Sequence, residues 1–184
     1  MAEDLTGRDD SLDRTLIKRW IAGDERAATA LVERHASALG RYVGSLGERE
    51  AAEEVVQDTF VRAFSSLESF RGESSLRTWL FTIARRLVLD RRRVIRRRRE
   101  VGNLDDVDAA SEYTALDGLI ASEAGQKVWA AVGKLSPTQR EVFLLRVNEG
   151  LSYKEIAEVA GTTEGAARVH YHNALRTVKE NLND

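Results

Sequence analysis

One proline in 184 residues, Pro137, leaves this chain almost free of the strongest helix breaker. Ala, Leu, Arg and Glu are plentiful, and these are good helix formers. Apolar residues recur at three- and four-residue steps, the period of a helix with one buried face. Leu12, Leu16, Ile17, Trp20 and Ile21 make a first stripe, broken by Gly23-Asp24. Leu31, Val32, His35, Leu39, Tyr42, Val43 and Leu46 make a second, ending near Gly47. Val55, Val56, Thr59, Phe60, Ala63, Phe64 and Leu67 make a third. After the polar loop SFRGESS, a fourth runs through Leu76, Trp79, Leu80, Ile83, Ala84, Leu87 and Val88. Strand-like alternation is missing throughout. The expected fold is therefore all-α, with two small helical domains joined by a flexible acidic linker. Its expected boundaries are a disordered N-terminus over 1–11, a first domain over 12–95, the linker over 96–124 and a second domain over 125–184.

The linker boundary comes from charge. Between Arg85 and Arg99 there are nine arginines and one acid, Asp90; from Glu100 to Glu123 there are seven acids and no Lys or Arg. The net charge of −2 thus hides a basic segment beside an acidic one. That asymmetry marks a polyanion-binding face with a separate acidic element. Weak periodicity after Glu100 fits a linker, with a short helical piece near Leu116–Ile120. No apolar run approaches the roughly 18 residues of a membrane span. The acidic start MAEDLTGRDD is unlike a signal or transit peptide, so a cytoplasmic location without membrane insertion is expected. The absence of cysteine excludes disulfides, thiolate zinc sites and a cysteine nucleophile.

The second domain carries the sharpest local signals. Val128, Trp129, Val132 and Leu135 form one stripe. Ser136-Pro137-Thr138-Gln139 then starts a helix, with Ser136 as cap, Pro137 at the first position and Gln139 to close a capping box. Ser152 and Glu155 make a second capping box. The short helix after Ser152 stops at Gly161, and Thr162 or Thr163 caps a longer one. This is the outline of a helix-turn-helix, whose second helix enters the major groove. Ala157, Gly161 and Ala167 would allow the close crossing, and Ile156 and Val169 would supply apolar contacts. Thr163, Glu164, Arg168, His170, His172, Asn173 and Arg176 are the candidates for its DNA-facing side.

Enzymatic chemistry finds little support. Glu50, Glu53, Glu54 and Asp58 resemble a solvated helix face more than a metal cluster. His170 and His172 stand two apart on a helix and cannot share a face, so no metal site and no cofactor are expected. No nucleophile with its base and no glycine-rich phosphate loop is present.

Two long motifs together resemble the extracytoplasmic-function sigma factors of bacterial RNA polymerase. They are EAAEEVVQDTFVRAFSSLESFRGESSLRTWLFTIARRLVLDRRR and, after the acidic stretch, LSPTQREVFLLRVNEGLSYKEIAEVAGTTEGAARVHYHNALRTV. The resemblance runs from about Leu12 to Leu182. It implies a non-enzymatic transcription initiation factor that binds core polymerase, reads and melts the minus-ten element, and binds the minus-thirty-five element. The helix containing Glu53, Glu54, Gln57, Asp58, Phe60 and Arg62 would dock on the clamp coiled coil of the largest polymerase subunit. The loop with Phe70, Arg71, Gly72 and Ser74 would capture an unstacked base of single-stranded promoter DNA. Arg71, Arg77, Arg85, Arg86, Arg91 and Arg92 would hold phosphates, and Trp79 would pack in the core more than it lines that pocket. Ser152 and Tyr153 would join the recognition helix on the minus-thirty-five duplex, with the second domain resting on the polymerase flap. An anti-sigma factor is the implied regulatory partner. The family often has Asn where this chain has Arg86, and arginines where it has His170 and Asn173. The competing reading is a helix-turn-helix regulator that acts without replacing the polymerase sigma subunit.

Overall fold

A computed structural model describes residues 2–102 and 123–183. The expected helical piece near Leu116–Ile120 and the body of the acidic linker lie outside the described residues. Within them the chain is helical, with no strand: α1 (Ala2–Ile21), α2 (Glu25–Ser45), α3 (Ala52–Ser65), a 3-10 turn (Leu67–Ser69), α4 (Leu76–Gly102), α5 (Glu123–Gly133), α6 (Pro137–Val147), α7 (Tyr153–Ala160) and α8 (Glu164–Asn183). Helix α1 begins at Ala2, inside the stretch expected to be disordered, and α4 runs on to Gly102, past the expected linker start at 96. Arg91–Arg99 therefore form part of a continuous helix.

The punctuation is local chemistry. Gly23 adopts a φ of 92° to end α1, and Asp24 then accepts a hydrogen bond from the Arg26 backbone N–H to start α2. Both expected capping boxes are present: Ser136 with Gln139, and Ser152 with Glu155. Ser75 Oγ accepts from the Thr78 N–H at 3.1 Å and so caps α4.

Helices α1–α4 bury Leu16, Leu31, Leu39, Val43, Val55, Leu80, Phe81 and Val88 between them. Burying each large side chain contributes roughly 1.5–3 kcal/mol. Asp13 on α1 ties this bundle to α2 through Arg34 Nε and His35 Nε2, each at 2.9 Å. Helices α5, α6 and α8 enclose Val132, Leu135, Phe143, Leu144, Ala174 and Val178. The two halves are not separate in space. Val142, Leu145, Leu151, Ile156 and Val159 belong to the same apolar cluster as the α1–α4 core, and α7 packs along α4.

Candidate nucleic-acid interface

The α7–α8 pair has the geometry of a helix-turn-helix. Gly161 turns the chain with φ 64° and ψ 41°, a left-handed conformation that costs a side-chain-bearing residue about 1–2 kcal/mol. Thr163, not Thr162, caps α8: its Oγ1 accepts from the Ala166 N–H at 3.1 Å. Ile156 and Ala167 are fully buried at the crossing. Val169 differs from the expectation. It is 58% exposed and makes no core contact, because Ala167 takes the inward position two residues earlier on the helix.

The outward side of α8 carries Thr163, Glu164, Arg168, Val169, His172 and Arg176, all exposed, with His170 and Asn173 at its half-buried margin. Arg168 donates to Glu164 Oε1 at 2.9 Å, and Arg176 donates to Asn173 Oδ1 at 3.4 Å. The guanidinium carbons of Arg146 and Arg168 lie 4.9 and 5.2 Å from the centre of the Tyr153 ring. Ser152 is occupied by its cap. Its Oγ and its N–H both donate to Glu155 Oε2, at 2.7 and 2.8 Å. Val169 is the residue of this face that sequence reasoning placed on the wrong side.

On α3, Glu53, Glu54, Gln57, Asp58 and Arg62 are exposed together. Phe60 is not with them: it is 6% exposed and packs 5.9 Å from Phe64 by ring centres. Its place on the surface belongs to Val61, 64% exposed, which lies three or four residues along from Gln57 and Asp58 on the same side. This face is thus largely acidic, with Val61 as an exposed apolar residue among the charges.

The loop before α4 turns at Gly72, whose φ is 68°. Phe70 and Trp79 meet with ring centres 4.9 Å apart, both half-buried against the core, so Trp79 serves packing and the loop wall at once. Arg71 is exposed at the loop tip.

The six arginines expected to hold phosphates divide into three pairs. Arg71 and Arg86 are exposed and have no ion-pair partner among the described residues. Arg91 and Arg92 are held within the bundle: Arg91 by Glu48 and Glu54, at 3.5 and 2.9 Å, and Arg92 by Glu48 and the Leu46 carbonyl. Arg77 and Arg85 instead reach acids of the other half. Arg77 donates to Glu149 at 2.5 Å, and Arg85 donates to Glu141 Oε1 at 2.7 Å and to Oε2 at 3.4 Å. Burial opposes the charge on Arg85, but its bond to Glu141 and the charge of Glu141 raise its pKa overall. Tyr42 also donates to Glu141, at 2.7 Å; burial and that nearby carboxylate push its phenol well above 10.0.

The chain matches the family model described as sigma-70 region 2 over residues 31–99, and sigma-70 region 4 over residues 125–178. It is 31% identical over 195 residues to the ECF RNA polymerase sigma-E factor of Haemophilus influenzae, covering 99% of this chain and 98% of that protein. It is 33% identical over 172 residues to the ECF RNA polymerase sigma factor BldN of Streptomyces coelicolor, covering 92% of this chain and 65% of BldN. Its structure is similar to that of the sigma factor RpoE of Bartonella quintana in complex with the anti-sigma factor NepR. That similarity has a TM-score of 0.66 at 28% identity, over 84% of this chain and 96% of that one.

Proposed function

Because the chain belongs to the extracytoplasmic-function family of bacterial RNA polymerase sigma factors, we propose a division of its surface among polymerase, minus-ten DNA and minus-thirty-five DNA. The acidic face of α3, with Glu53, Glu54, Gln57, Asp58, Arg62 and the exposed Val61, docks on the polymerase clamp. An apolar residue ringed by charges suits reversible docking on a helical partner. The loop from Phe70 to Ser74, walled by Trp79, takes an extruded base. Arg71, Arg77, Arg85 and Arg86 neutralise the phosphates of the opened strand. Arg91 and Arg92 are chiefly braces that hold α4 against the α2–α3 turn.

The outward face of α8 reads the minus-thirty-five duplex, with Arg168 its basic residue nearest the helix start, where base edges are met. The observation that carries this reading is the exposed row Thr163, Glu164, Arg168, Val169, His172 and Arg176 on the second helix of a capped helix-turn-helix. No chemistry is catalysed by the chain itself; its work is binding and strand opening. A cytoplasmic site of action fits, and no helix among the described residues is long and apolar enough to cross a membrane. An anti-sigma factor is the proposed regulator, supported by the similarity to RpoE bound to NepR.

Transcription in vitro from a genomic fragment library tests the reading. Core polymerase with this chain is expected to start at defined sites that share two spaced sequence elements. Starts no different from those of core polymerase alone would overturn it.

A further inference from the structure

The row on α8 that faces the minus-thirty-five duplex carries a single acid. Thr163, Arg168, Val169, His172 and Arg176 are neutral or basic, and Glu164 stands among them as the first residue of the helix. Thr163 caps that end through the Ala166 N–H, so the backbone that carries Glu164 is fixed. A carboxylate has two ordinary uses there. It meets the positive end of the helix dipole, and it pairs with Arg168 one turn on. Both effects are small for exposed groups. Against them stands duplex DNA, with one negative charge per about 1.7 Å of its axis, which repels any carboxylate that finds no donor. The start of the second helix is also where base edges are met.

Half of that carboxylate is still available. Arg168 Nη2 donates to Glu164 Oε1 at 2.9 Å, and among the described residues Oε2 has no hydrogen-bond partner. The major groove offers few donors to such an oxygen. Cytosine shows the N4 amino group alone, and adenine shows its N6 amino group beside the acceptor N7. Guanine and thymine show acceptors, O6 with N7 and O4. A carboxylate only accepts, so it matches cytosine, is opposed by guanine and thymine, and meets one wrong partner at adenine. Arg168 only donates, and it matches O6 and N7 of guanine. The two residues are separated by about 6 Å along the helix axis. A base-pair step is about 3.4 Å, so their contacts fall on neighbouring pairs.

We propose, on the reading of α8 as the minus-thirty-five helix, that Glu164 is a specificity-determining residue: its free oxygen accepts from the N4 amino group of a cytosine, in the pair beside the guanine that Arg168 takes. The charge rejects other bases at that pair as much as it favours cytosine. A glutamine amide in the same place has one donor face and one acceptor face, the complement of adenine N6 and N7. Changing Glu164 to Gln therefore rewrites the preferred base at one pair and leaves the neighbouring pairs as they were.

Selection from a duplex library tests this. Holoenzymes made with the wild-type chain, E164Q, E164A and R168A are each offered one promoter randomised across its minus-thirty-five element, and the bound fragments are sequenced. Wild type should favour cytosine at one position by about tenfold, the discrimination of one good base contact. E164Q should favour adenine there, E164A should show no preference there, and R168A should keep the cytosine while losing guanine at the adjacent position. Cytosine still favoured by both E164Q and E164A would overturn the proposal. So would a change confined to the position that R168A alters, since Glu164 would then act only by holding Arg168. Both results leave the minus-thirty-five reading of α8 standing. That reading itself fails if the wild-type holoenzyme shows no preference at any randomised position.

Discussion

The guanidinium of Arg168 lies over the ring of Tyr153, 5.2 Å from its centre, while it also donates to Glu164 at 2.9 Å. Both contacts are made within the helix-turn-helix, so the arginine is held in place before any DNA arrives. Such pre-ordering reduces the side-chain entropy lost on binding. Replacing Arg168 with alanine should weaken binding to the minus-thirty-five duplex by about 1–3 kcal/mol, the worth of a good bidentate base contact. Holoenzyme binding to duplex fragments, read beside affinity for core polymerase, checks this. The core affinity is expected to stay unchanged; its loss would mean that Arg168 serves polymerase docking.

Val169, exposed beside Arg168, is an apolar side chain on a surface meant for a duplex. The apolar group a duplex offers in its major groove is the methyl of thymine. Replacing one thymine of the minus-thirty-five element with deoxyuridine removes only that methyl. Burial of one such group is worth about 0.8 kcal/mol, so wild-type holoenzyme should lose about fourfold in affinity at one position. V169A should be insensitive to the same replacement. Equal sensitivity in both proteins would exclude Val169 from the readout.

Asp13 gives the first bundle a predictable acid limb. Burial pushes its carboxyl up, but the bonds and charges of His35, and then of Arg34, outweigh it and hold the pKa below 3.8. A depressed carboxylate pKa means stability that is complete above the ordinary value and lost as pH falls through the depressed one. The bundle should therefore resist unfolding down to about pH 4 and weaken below it. D13N should unfold more easily at pH 7, by about 1–3 kcal/mol for imperfectly paired buried groups. It should also show a flatter fall in melting temperature below pH 4. A D13N chain with wild-type stability at both pH values would contradict the assignment.

Gly161 separates backbone strain from packing. The nearest atom to an added Cβ is the Arg85 guanidinium at 3.9 Å, so G161A meets only an ordinary contact but must keep a φ of 64°. It should cost about 1–2 kcal/mol from backbone strain alone. Chemical denaturation measures this, and a neutral result would show that the turn relaxes into another conformation.

Much of this was legible in the sequence, for local reasons. The Ser136–Gln139 and Ser152–Glu155 boxes lie within one helical turn, and their chemistry is complete in four residues. The apolar stripes gave the helices for the same reason. Facing was harder. Phe60 and Val61, adjacent on α3, point in different directions, one buried and one exposed, and the larger side chain won the interior. On α8 the inward row is Ala167, Ala174 and Val178, which leaves Val169 outside; the small alanines hid that row. The pairing of Arg77 with Glu149 and Arg85 with Glu141 had no local signal at all. It depends on how two units separated by the acidic stretch come together, and a list of arginines does not distinguish those with protein partners from those left for DNA.

Permanganate footprinting of unpaired thymines tests the central claim, that this chain gives core polymerase the ability to open a promoter. Holoenzyme containing the chain should make thymines reactive in the minus-ten region of its promoters, with neither core polymerase nor the chain alone doing so. Thymines that stay protected with the holoenzyme, at promoters it demonstrably occupies, would contradict the account.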